Sequence, residues 1–103
     1  MLGDRPDGVS RIEQELHQER AAALGRIGRT LEALIDKLET LRLAAERSSS
    51  AERQRLAAEH ADTRERAIRW RWYLEVQREA VGLRRHERLD EMYRVPPPLP
   101  PSV

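Results

Sequence analysis

Four arginines and three aromatic rings share ten consecutive residues, Arg64-Glu65-Arg66-Ala67-Ile68-Arg69-Trp70-Arg71-Trp72-Tyr73. Guanidinium groups pair with phosphates and aromatic rings stack on bases, so this stretch has the chemistry of a nucleic-acid-binding arm built on Arg64, Arg66, Arg69 and Arg71. A second account needs no ligand. At helical spacing the rings fall on apolar faces, and the arginines between them are solvated or lie over the rings in cation–π contact. Net charge favours the second account. Nineteen basic side chains face eighteen acidic ones, leaving +1, whereas attraction to a phosphate backbone needs uncompensated cations. A further basic cluster, Arg84, Arg85 and Arg88, is offset by Glu79, Glu87, Asp90 and Glu91.

The other reactive residue types are sparse. His17, His60 and His86 are the only histidines. Di-iron bundles place a glutamate three residues before a histidine, but Gln14, Ala57 and Leu83 stand there. Glu13 with His17, and His86 with Asp90, have one-turn spacing and could share a surface metal, which gives a metal-binding helical bundle as a further alternative. The serines fall at caps, linker and tail, and no thiol exists. No nucleophile has a base in a fixed pocket, so no catalytic residue, cofactor or enzymatic activity is expected. The segment Arg94-Val95-Pro96-Pro97-Pro98-Leu99-Pro100 sets a cation before spaced prolines, the pattern that polyproline-binding grooves read. A passive tail, or one laid against the bundle, is the simpler expectation.

These residues must be carried by helices. Ala, Glu, Lys, Leu and Arg supply 57 of the 103 residues, a composition typical of coiled coils and long helices. Arginine outnumbers lysine 18 to 1, as a GC-rich coding sequence would give, and the Ala/Arg-rich cast is bacterial in type. No apolar run reaches the length of a membrane span. The polar first residues do not form a signal peptide, so a cytoplasmic location without membrane contact is expected.

Along the chain, residues 1–9 read as a flexible leader. Ser10 and Glu13 make a capping box, and a helix is expected over 10–47. Its seam is Leu24, Ile27, Leu31, Leu34, Leu38, Leu41 and Ala45, in unbroken steps of three and four. The serines at 48–50 make a turn, and Ser49 with Glu52 forms a second capping box. A second helix is expected over 51–94, with seam Leu56, His60, Thr63, Ala67, Trp70, Leu74, Gln77 and Val81. The two seams do not share a register, because extending the first would bury Glu52, Glu59 and Arg66. An antiparallel hairpin resolves the conflict. One continuous helix with a register slip is the rival. The tail, 95–103, is too rich in proline for a helix and is expected to be extended.

A turn at 48–50 sets Leu24 opposite Leu74, Ile27 opposite Trp70 or Arg71, Leu31 opposite Ala67, and Leu41 opposite Leu56 or Ala57. Gly25 and Gly28, each costly in mid-helix, either make room for the rings near Trp70–Tyr73 or are tolerated surface glycines. On a helical wheel at about 100° per residue with Ala67 as origin, Trp70, Leu74, Val81 and Met92 fall between about 300° and 340°. Ile68, Trp72, Val76 and Leu83 fall between about 100° and 180°, on the other side. A helix with one packing partner needs one apolar stripe, so the second stripe reads as an interface, with Arg69 and Arg71 at its rim.

The expectation is therefore an all-α, coiled-coil-like antiparallel hairpin. It dimerises into a four-helix bundle or receives a partner protein's helix, and serves as an adaptor, assembly factor or regulatory subunit.

Overall fold

The computed structural model describes residues 7–101. The chain is all-α, with α1 (Asp7–Glu46), α2 (Ser50–Ala80) and a short α3 (Glu87–Met92). No strand occurs among the described residues. The two long helices pack against each other, which excludes the single continuous helix. The molecule is narrow, 75 × 21 × 15 Å.

The turn works without glycine or proline: the last carbonyls of α1 take backbone bonds from Arg47 and Ser48, and side chains add to them. Ser48 Oγ donates to the Ala44 carbonyl at 2.6 Å, and Arg53 Nε donates across the turn to the Ala45 carbonyl at 3.1 Å. Ser49 is the N-cap of α2, its hydroxyl accepting from the Glu52 amide at 3.4 Å. The reciprocal half of the capping box is not made, because the Glu52 carboxylate turns to Arg55.

The expected seam forms. Ile27, Leu31, Leu34 and Leu38 of α1 are buried with Ala67 and Leu74 of α2, and Leu41 and Ala45 with Leu56 make a second cluster by the turn. His60 and Thr63 complete the α2 side, both buried. Leu24 and Trp70 sit half-buried at its edge. The Trp70 ring meets Tyr73 edge-on, 5.7 Å between centroids.

Both ends of the helical assignment need correction. α1 begins at Asp7, so residues 7–9 belong to the helix rather than to a leader, and Ser10 lies inside the first turns instead of capping them. The rest of the expected leader, 1–6, lies outside the described residues. From Ser10 to Ala22 every side chain is exposed, Ile12 and Leu16 included.

α2 stops at Ala80 instead of running on to 94. The Gly82 amide donates to the Glu79 carbonyl at 3.0 Å and the Leu83 amide to the Arg78 carbonyl at 2.9 Å. That pair of bonds is the Schellman termination, and it requires a left-handed residue, which Gly82 supplies at φ +89°. Val81 becomes the C-cap, half-buried and outside both clusters, not a seam residue. Met92 is 64% exposed, and Leu89 takes the buried place instead. Gly82→Ala should cost about 1–2 kcal/mol, because a Cβ at this φ is strained although nothing stands within 4 Å of it. A thermal melt followed by circular dichroism at 222 nm tests this. A melting temperature equal to wild type would contradict it.

Beyond α3 the chain folds back along the hairpin. Tyr93 and Val95 pack on the main cluster, Leu99 packs on the cluster by the turn, and Arg64 Nε donates to the Pro96 carbonyl at 2.8 Å. Gly28 does make room for a ring, but the ring is that of Tyr93. A Cβ at Gly28 would lie 2.7 Å from the Tyr93 hydroxyl oxygen. A Cβ at Gly25 would meet only the Arg29 guanidinium, at 3.3 Å.

Candidate functional site

The second stripe of α2 stands clear of α1. Ile68, Trp72 and Val76 succeed one another at intervals of one turn and so share a face. Trp72 is 64% and Ile68 43% exposed, while Val76 is half-buried. A tryptophan with most of its surface in water is the largest unburied apolar group on α2, and it lies on the side away from the buried Leu74 and Ala67. Arg69 is exposed beside it. Leu83, 44% exposed, lies beyond the end of α2. The helical phase that grouped it with Trp72 therefore does not apply to it.

Arg71 has a different part from the rim position expected of it. Its side chain is only 14% exposed, and Nη1 pairs with Glu75 at 2.9 Å while Nη2 pairs with Asp90 at 2.6 Å. It ties α3 to α2. Ile68 and Arg71 also form one wall of a shallow cleft, with Asp90, Tyr93, Arg94 and Val95 opposite. The returning segment thus borders the exposed stripe without covering Trp72.

The arginines of the 64–73 stretch are divided. Arg64 is spent on Pro96 and Arg71 on its two carboxylates, whereas Arg66 and Arg69 are exposed. Two of the four cations are therefore occupied within the chain. The histidines are scattered. His17 is exposed on the free part of α1, His60 is buried in the seam, and His86 Nε2 lies 3.0 Å from Glu79 Oε1. Asp90, the expected partner of His86, is held by Arg71. Among the described residues no group of three or more His, Asp or Glu could hold a metal ion. Within the same residues no helix is long and apolar enough to cross a membrane.

Sequence reasoning missed the junction after α2 and everything it positions. Arg78 Nη2 donates to the Arg85 carbonyl at 2.8 Å, and Leu89 and Tyr93, one turn apart, enter the core. The available signal was Gly82, the one glycine placed late enough in the α2 pattern to end it.

No family model matches the chain, and no curated protein or solved structure is significantly similar to it. The geometry alone carries the functional reading.

Proposed function

We propose that the chain is a non-enzymatic protein–protein interaction module acting through the outer stripe of α2, with Ile68, Trp72 and Val76 as apolar contacts and Arg69 at the rim. The observation that carries this is the exposure of Trp72 on a helix whose other face is already packed. Burying a large apolar side chain yields about 1.5–3 kcal/mol, and aromatic and arginine side chains are the usual anchors of interfaces. The partner we propose is a second copy. Two hairpins joined by their α2 helices make a four-helix bundle, in which the same stripe on both copies meets itself. A narrow hairpin encloses little core by itself, which gives association a further advantage.

Light scattering on the full chain tests this. The wild type should show the mass of two copies, and Trp72→Glu that of one, with helicity at 222 nm unchanged. Trp70→Glu, on the half-buried seam edge, should instead lower helicity. A wild type that is monomeric at high micromolar concentration, or a Trp72→Glu variant of unchanged mass, would refute the dimer.

A further inference from the structure

The segment that folds back along the hairpin meets it as a peptide ligand meets a groove. Its path is set by three fixed points. Tyr93 stands over Gly28, where the helix has no Cβ to obstruct the ring. The Pro96 carbonyl takes the Arg64 guanidinium. Leu99 reaches the cluster of Leu41, Ala45 and Leu56.

The lengths agree. Six residues of polyproline backbone from Tyr93 to Leu99 span about 19 Å at ~3.1 Å each. The thirteen residues of α1 from Gly28 to Leu41 span about 20 Å at ~1.5 Å each. An extended segment therefore reaches from one end of the groove to the other, and a helical segment of the same residues would cover about half of it.

The chemistry of the occupant also follows from the groove. The clusters beneath it are apolar, and a backbone N–H buried against them without a partner would be costly. Of the seven residues Val95 to Pro101, five are proline and have no N–H to satisfy. The groove contributes one donor, Arg64, for a carbonyl. Proline also holds the segment extended beforehand, so little chain entropy is lost on docking.

The resident segment is joined to α2 by a short connection, which Arg71 and Asp90 pin to the helix. α2 ends at Ala80, the chain turns at Gly82, and α3 has six residues.

We propose that the α1–α2 groove from Gly28 to Ala45 is a binding site for extended proline-rich peptides carrying a tyrosine at one end and a leucine six residues on, with residues 93–99 as its resident ligand. A segment of the same chemistry from another molecule displaces the resident and takes the same fixed points. The site meets the outer stripe of α2 only at Ile68, which borders Tyr93 and Val95; Trp72 plays no part in it, so the Trp72→Glu test and the peptide test can fail independently.

The resident competes at an effective concentration of about a millimolar, as short tethers give. A free peptide should therefore bind the intact chain weakly and a chain with a weakened tail well. The test uses a fluorescein-labelled peptide of residues 91–101 and the full-length chain, read by anisotropy. Leu99→Asp in the chain should tighten binding by at least about tenfold relative to wild type, because its own tail no longer competes. Tyr93→Ala in the chain, the second opener, should do the same. Adding Gly28→Leu to Leu99→Asp fills the tyrosine notch while improving helix propensity, and should abolish binding. A peptide carrying Leu99→Asp should not bind any of them. Circular dichroism reports whether each variant retains both long helices.

One further measurement needs no variant. Millimolar unlabelled peptide added to isotope-labelled wild type should shift the amide resonances of Tyr93 and Leu99 as the resident leaves. Equal affinity for wild type and openers, binding that survives Gly28→Leu, or resonances of Tyr93 and Leu99 that ignore the peptide would each overturn the proposal.

Discussion

Leu38→Ala should destabilise the hairpin by about 2–5 kcal/mol, the range for emptying a well-packed leucine site. Leu38 is fully buried, at 0% exposure. It lies at the middle of the α1 seam, with Leu34 on one side and Leu41 on the other, so the cavity has side chains all round and no easy way to collapse. Domains of ordinary size have only about 5–15 kcal/mol in total, and a two-helix core is thin. The variant should therefore be partly unfolded at 37 °C. Leu43→Ala makes the same chemical change five residues away on a side chain 42% exposed, and should stay within about 0.5 kcal/mol of wild type. Urea melts monitored at 222 nm compare the two. Equal midpoints for both variants would mean that the seam does not hold the fold.

Stability should also fall as the solution is acidified below neutral, and His60 should be the cause. His60 is 1% exposed, on the seam between the buried Leu56 and Thr63. Burial pushes its imidazole below the ordinary 6.5, and the positive charge of Arg64 acts in the same direction. The unfolded chain takes up a proton near 6.5, while the folded chain resists until lower pH, so acid favours unfolding. The contribution is fully present above about pH 6.5 and is lost as pH drops from there through the depressed folded value. The carboxylates of Glu39 and Glu52, held below 4.5 by Arg42 and Arg55, lose their contribution only in more acid solution, which keeps the two effects apart. His60→Leu should flatten the urea midpoint between pH 7.5 and 5. A variant with the same slope as wild type would assign the effect elsewhere.

His60 and Leu38 were both readable before any coordinates, because each sits on a heptad seam, and a heptad repeat states which residues face inward. The clash of registers at Ser48–Ser50 was equally readable and gave the hairpin. What lay beyond α2 was not. Val81, Leu83, Leu89 and Met92 continue a plausible helical rhythm, and that rhythm concealed the left-handed turn at Gly82, whose bonds depend on backbone geometry and not on side-chain pattern. The docking of Tyr93 on Gly28 joins residues 65 apart through a segment with no periodicity. The glycine signalled that something approached closely and did not say what. The exposed stripe at Ile68 and Trp72 was legible as a surplus of apolar positions. The loss of Arg71 to Asp90 was not, because it depends on where α3 comes to rest.

The returning segment also alters the polarity of the whole molecule. A plain hairpin brings both of its outer ends to one pole. Here the chain doubles back once more, so that Asp7 lies at the far tip of α1 while Leu99 lies beside Ala45 at the turn. The 38 residues of α1 between those levels correspond to about 57 Å. Asp7 and Leu99 thus lie at opposite poles of the molecule. Undocking the tail would remove that separation.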